Sequence, residues 1–406
     1  MKKSDITVIL SILILIAVSF LIKSSMNKGE AAYVVINLAG EEYGRYDLHK
    51  DATIELDKNT VVIENNKVYM KDSDCPDHLC ESQGAISKSG ESIVCLPNKL
   101  SVLIEGESDP ISKTDFKLGT IVSVKIYDSS DEKILDGCME ICDKYEAVCS
   151  RTSGSSELYK LNHRLISANA DGSYTVSDKL YEMLEEGLTY SKMSDGAFDI
   201  SIGSLTTLWN FTDSCDNTVP SSADIDKALS TVSYKKIRLD TDNRVFFEDP
   251  DTMIDMGGFA KGYIGDRIKD YLLEQGISKA IISLGGDNIY IGGPFTTGIQ
   301  EPFAPQGQLI DKVSSSDKAI VTSGIYERYF EENGHIYHHI LDPHTGYPYD
   351  NDLVSVSVLG KTGSESDFLA TYLFSMGYEQ AKKYAADNSI EVILIDDSNN
   401  IFKSIK

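Results

Sequence analysis

The chain changes hydrophobic rhythm twice. Residues 6–22, ITVILSILILIAVSFLI, carry no charged side chain, with Lys2 and Lys3 before them and Lys23 after. A terminal run of that length without amphipathic periodicity predicts a membrane-spanning signal anchor over residues 1–29. Neither an A-x-A-like site nor a lipobox cysteine follows it. The lysines on its two sides are nearly balanced, and the expectation drawn is that the bulk of the chain lies outside the cytoplasm. Over residues 30–108 the runs shorten to AAYVVINLAG, TVVIENNKVYM and SIVCLPNKLSVLIEG, separated by Gly, Asn, Asp and Pro, which predicts a small all-β domain. ESDPISKTDF, with Pro110, reads as a polar connector. From GTIVSVKIYD onward strands alternate with amphipathic helices, which predicts an α+β unit of enzyme size. Ile134, Leu135, Cys138, Ile141, Cys142, Tyr145 and Val148 recur at helical spacing, and KLYEMLEEGLTYSKM repeats the theme. Asp242-Asn243 predicts a hairpin, and KAIISLGG and LVSVSVLG predict buried strands.

Charge narrows the partners. Lys plus Arg is 38 and Asp plus Glu is 63, a net charge of -25. Nucleic acid is excluded as a partner, and any anionic ligand needs a cation or local dipoles. Seven cysteines leave at least one unpaired within the chain. Cys75, Cys80 and Cys95 supply one disulfide in an oxidising compartment, or CPDHLC binds a metal with His78. Cys138 and Cys142 fit small core residues.

Candidate chemistry starts in IDMGGFAKGYIGD. Asp255 precedes Gly257 and Gly258, and a helix follows with Phe259, Tyr263, Ile268 and Tyr271 on one side. Glycines permit close backbone approach, and a helix start offers unpaired amides to an anion. Lys261 adds a point charge suited to phosphate. The spacing matches neither the Walker pattern nor G-x-G-x-x-G, and a tight turn with a surface lysine is the plain alternative. Near the C-terminus, Asp367 and Thr371 stand four apart on one helix face, a carboxylate and a hydroxyl suited to Mg2+. Against this, Ser364 and Asp367 have the spacing of a helix cap. His338, His339 and His344 cluster beside Asp342-Pro343, where a histidine suits a general base or a flavin or phosphate contact; a structural role is the plain alternative, and His339 is the one singled out.

GAFDISIGSLTTLWNF, IDMGGFAKGYIGD, ISLGGD, VTSGIYERYF, HHILDPHTGYP and SDFLATYLFSMG follow one another in the order and spacing of the ApbE family, the FAD:protein FMN transferases. The chain resembles that family over residues 112–406. DCPDHLCESQGAIS and IVCLPNKLSV resemble NusG domain II. The first resemblance implies that FAD binds with Mg2+, that a Thr or Ser hydroxyl of an exported flavoprotein attacks the FMN phosphorus, and that AMP leaves. It implies FAD contacts at Asp255, Lys261, Ala197, Phe198, Asp199 and Ile340, metal contacts at Asp367, Thr371 and the Gly258 carbonyl, and catalytic roles for His339 and Asp255. The family usually has Met where Leu118 stands, and an aromatic residue near Thr152, so flavin stacking at Thr152 is weakened. An Mg2+-dependent FAD pyrophosphatase and a non-catalytic flavin carrier are the alternatives. No Ser/Thr-Gly-Ala-Ser/Thr stretch occurs in the chain, so the expected acceptor is another polypeptide. The β domain either docks a partner or serves as a spacer from the membrane.

Overall fold

A computed structural model describes residues 32–76, 78–87, 91–106, 110–211, 217–305 and 307–405. The expected anchor at residues 6–22 lies outside them. Among the described residues no helix is long and apolar enough to cross a membrane. The chain divides into two compact units, Met1–Asp109 and Pro110–Lys406.

The first unit holds β1 (Ala32–Leu38), β2 (Glu41–Asp47), β3 (Ala52–Glu55), β4 (Asn59–Glu64), β5 (Lys67–Ser73), the single turn α1 (Leu79–Ser82), β6 (Ser92–Cys95) and β7 (Leu100–Gly106). They form a four-stranded sheet, order β2-β1-β7-β6, and a three-stranded sheet, β3-β4-β5. Alternate residues such as Val34 and Ile36, Val61 and Ile63, and Val102 and Ile104 build one core. The runs predicted from sequence are strands, but β2, EEYGRYD, carries little apolar signal because most of its side chains face water.

The second unit begins earlier than its hydrophobic pattern suggests. Its elements are β8 (Ile111–Lys117), β9 (Thr120–Ile126), α2 (Glu132–Cys149), α3 (Glu157–Asn162), β10 (Tyr174–Thr175), α4 (Asp178–Met193), α5 (Gly203–Trp209), α6 (Ser222–Leu229), β11 (Ile237–Asp240) and β12 (Arg244–Phe247). Then follow α7 (Ala260–Glu274), β13 (Ala280–Leu284), β14 (Asp287–Ile291), β15 (Phe295–Gln300), β16 (Leu309–Ser315), β17 (Ala319–Gly324), β18 (Tyr329–Glu332) and β19 (His335–His338). The last are β20 (Leu353–Gly360), α8 (Gly363–Ser375), α9 (Tyr378–Asp387), β21 (Glu391–Asp396) and β22 (Ile401–Ser404).

The frame is an eight-stranded sheet of order β22-β21-β20-β17-β14-β13-β9-β8, antiparallel at every pairing. ISKTDF is therefore not connector but edge strand; it reads as polar because Ser112, Thr114 and Asp115 are exposed to water, while Lys113 and Lys117 pair with Asp136 and Asp143 of α2. The helices cover one face: Ile289, Ile291 and Val321 point into the core that α2, α4 and α7 complete. Tyr290, Ile320, Ile393 and Ile395 point the other way, against Ile299 and Val313 of the β15–β16 hairpin. Covering both faces leaves β20 buried along nearly its whole length, so Ser355 and Ser357, which alternate with its valines, are buried as well. Asp242 and Asn243 take positive φ angles of 61° and 54°, the pair a tight hairpin turn between β11 and β12 requires. Cys138 and Cys142 are fully buried in α2, as their spacing predicts.

Candidate functional site

Two helices meet where neither has a side chain. A Cβ on Gly262 of α7 would stand 2.1 Å from the Gly363 carbonyl oxygen of α8, and one on Gly363 would stand 2.5 Å from the Gly262 oxygen. The start of α8 is capped from across this contact: Asp266 accepts from the amides of Gly363 at 2.7 Å and Ser364 at 3.0 Å. The Ser364–Asp367 cap allowed by the sequence does not form, since Ser364 lies inside the helix and its hydroxyl turns to Glu186. Asp367 is thereby released for another use. Its Oδ2 accepts from the Gly262 amide at 3.1 Å, the amide whose usual helical partner is the Gly258 carbonyl. One turn further along α8, the Thr371 hydroxyl lies 3.2 Å from that of Ser323 in β17.

Lys261 enters the same locality and pairs with Asp287, the first residue of β14. The other Asp287 oxygen accepts from the Thr322 amide at 3.3 Å. Burial raises the Asp367 carboxyl to about 7; the Asp287 charge adds to the rise and Lys261 opposes it. Burial pulls the Lys261 ammonium down, but Asp287 and Asp367 outweigh it and hold the group above its ordinary range. Burial also pushes up the carboxyl of Glu327, close enough to feel Lys261 and Asp287. The expected free point charge is thus a cation already set among carboxylates. The expected unpaired amides are likewise mostly engaged: Gly257 donates to Asp255 Oδ1 at 2.8 Å, Phe259 and Ala260 donate to the Met256 carbonyl, and Gly262 to Asp367. The turn before α7 folds back on itself and consumes the donors that a free helix start would offer.

Asp255 is held from three sides, by Arg151 Nε at 2.9 Å, Thr206 Oγ1 at 2.7 Å and the Gly257 amide. Thr152 follows Arg151 and is exposed, while Leu118 is half-buried against the main core. Gly258 lies under Phe198, whose ring a Cβ there would approach to 2.6 Å. Phe198 and Tyr190 pack on Phe368 with centroids 5.2 Å and 4.4 Å away, forming an aromatic floor between α4 and α8. The Ala197 carbonyl accepts from Tyr349 Oη at 2.9 Å. The Asp199 carboxylate is occupied by Ser201 and the Tyr234 amide, so its side chain shapes the 197–199 turn instead of reaching outward. A hollow of about 210 Å³ opens beside that turn, with Gly196, Asp199, Tyr234 and His344 in its wall.

The three histidines part company. His338 is buried, its Nε2 donating to the Tyr349 carbonyl at 3.0 Å and its Nδ1 accepting from the Ile340 amide. His344 is exposed beside Asp342. His339 is half-buried, and its Nδ1 donates to the Arg328 carbonyl at 3.2 Å, which leaves Nε2 as the ring's acceptor. Burial pushes its imidazole down to about 3; the charges of His338, Arg328 and Lys261 add to the fall, and the hydrogen bond to the Arg328 carbonyl opposes it. Ile340 is a core residue beside Phe374 and Leu353. Asp287, Arg151, Thr206, Asp266 and Ser323 join these groups without having been singled out in the sequence. Asp287 had a signal, since it follows Gly285-Gly286 in ISLGGD much as Gly257-Gly258 follow Asp255. Arg151 and Thr206 had none, being 104 and 49 residues from the carboxylate they hold.

Fold and site together define an α+β protein whose oxygen donors and the Lys261 cation gather where two helices meet at glycines. This chain belongs to the ApbE family, whose sequence profile matches residues 118–394. The NusG domain II profile matches residues 8–108. A FAD:protein FMN transferase of Klebsiella pneumoniae (strain 342) is 36% identical over 264 residues, 65% of this chain and 81% of the relative. One of Treponema pallidum (strain Nichols) is 30% identical over 295 residues, 66% and 80% of the two chains. The crystal structure of the ApbE protein from Thermotoga maritima is similar with a TM-score of 0.65 and 31% identity, covering 73% of this chain and 97% of that one.

Proposed function

We propose that the protein is an Mg2+-dependent FAD:protein FMN transferase that esterifies a Thr or Ser hydroxyl of an exported flavoprotein with FMN and releases AMP. The observation that carries this reading is the meeting of Asp367, Lys261 and Asp287 at the Gly262–Gly363 contact. Asp367, Thr371 and the Gly258 carbonyl are hard oxygen donors, the set a magnesium ion takes. Asp367 is a buried carboxylate held near a second one, so a divalent cation relieves both its desolvation and its repulsion. When bound, Mg2+ neutralises diphosphate charge and orients its oxygens.

The chain's own residues supply the rest. Lys261, kept protonated by Asp287 and Asp367, would supply positive charge to the diphosphate. Asp255, fixed by Arg151 and Thr206, orders the turn that carries Gly258. The acceptor oxygen forms a bond to the FMN phosphorus while the bond from that phosphorus to the bridging oxygen breaks, and the electron pair departs with AMP. His339 Nε2 receives the hydroxyl proton, and the negative charge of bound dinucleotide raises its weak basicity. The apolar run at 6–22 and the lack of an acceptor stretch in the chain support a membrane-tethered enzyme acting on another polypeptide outside the cytoplasm. Incubation with FAD, Mg2+ and a flavoprotein bearing the acceptor stretch tests the reading. Covalent flavin with equimolar AMP is expected; free FMN alone, or unchanged FAD, contradicts it.

A further inference from the structure

Three cysteines from separate turns of the N-terminal unit converge on one point. Cys75 follows β5, Cys80 lies in α1 and Cys95 ends β6, and their three sulfurs lie within 4.8 Å of one another. Cys75 and Cys80 Sγ are 3.8 Å apart, and the residues are 5%, 1% and 2% exposed. Each alone would pass for a small core residue. The polar groups threaded among them argue otherwise: Ser73 Oγ lies 3.2 Å from both Cys75 and Cys80 sulfurs and donates to Glu81 Oε1 at 2.7 Å.

Three sulfurs this close suit a shared ion, although 3.8 Å is also the contact distance of two thiols. A disulfide requires its sulfurs at about 2.05 Å and leaves the third thiol without a mate. Tetrahedral zinc–thiolate bonds of about 2.3 Å put neighbouring sulfurs about 3.8 Å apart. His78, whose ring reaches Glu81 at 2.8 Å, is exposed and turned to that carboxylate, so the nearby donors are sulfur and hydroxyl. That set is soft and disfavours Mg2+ or Ca2+.

We propose that Cys75, Cys80 and Cys95 form a three-thiolate site for one thiophilic d10 cation, with a fourth position left to water or an incoming ligand. Binding releases the thiol protons to solvent and changes no oxidation state. The site shares no donor with the flavin centre and stands whether or not that reading holds. It ties β5, α1 and β6 together, so metal loading stabilises the unit.

The test uses the full chain, reduced, stripped of metal and titrated with Zn2+. The expected result is one Zn2+ more than Cys95→Ala binds, protection of three thiols from alkylation, and a zinc X-ray absorption spectrum with sulfur neighbours at about 2.3 Å. Should Cys95→Ala fail to fold, the absorption spectrum of the unaltered chain decides. A zinc shell without sulfur overturns the proposal, as does equal alkylation with and without Zn2+. So does a disulfide among these cysteines in chain whose thiols are trapped at cell lysis.

Discussion

Lys261, which the sequence offers as a point charge for phosphate or else as a surface lysine, is two-thirds enclosed, paired with Asp287 and near Asp367. In the proposed reaction that enclosure matters, because a charge held in a low-dielectric site acts strongly on a diphosphate. Lys261→Met is expected to lower kcat/KM for FAD by about 10²–10³-fold. Steady-state kinetics on variant protein whose circular dichroism matches the parent checks this, and a loss under tenfold contradicts it. His338 gives a stability signature. Burial lowers its imidazole from 6.5 to about 4, so between those values the unfolded chain holds a proton that the native chain lacks. Stability is therefore lost as pH falls through this window, by about 3 kcal/mol at its acid end. Denaturant unfolding across the window is expected to show a shallower acid decline in His338→Gln than in the parent; parallel curves contradict it. At this scale the sequence showed which groups carry charge but not what neutralises them. Asp367 was legible by its spacing to Thr371, whereas a separation of 26 positions between Lys261 and Asp287 hid the pairing that decides the lysine's state.

At the scale of elements, periodicity located α2, α4 and α7 because each turns an apolar stripe to the core. It failed at β2 and β8, where a strand is held by backbone pairing and few buried side chains. It was silent on the contact that matters most, since a glycine in a helix carries no pattern and Gly262 and Gly363 acquire meaning only when α7 and α8 touch. Gly262→Ala places a methyl carbon where no atom fits, and the helices must separate. The expected cost is about 1–3 kcal/mol, with flavin transfer lost because Asp367 leaves the Gly262 amide. Denaturant titration alongside the transfer assay checks both; an alanine variant with full activity contradicts the site's geometry.

For the whole molecule, the amino-acid order distinguished a β-rich N-terminal part from an α+β remainder, and contacts within the chain gather into two units divided at Asp109 and Pro110. The family profile spans residues 118–394, inside the second unit. A chain of residues 110–406 is thus expected to fold and to flavinylate a soluble acceptor at a rate comparable to the full chain. Loss of transfer with retained folding would assign the first unit a direct part in the reaction. In the proposed mechanism a divalent cation held by α8 and the turn before α7 works with Lys261 on the FAD diphosphate. The most direct measurement is a Mg2+ titration of flavin transfer by the parent and by Asp367→Asn. The account predicts saturable, Mg2+-dependent covalent flavin in the parent and none above the magnesium-free background in the variant; Mg2+-dependent transfer retained by Asp367→Asn would contradict it.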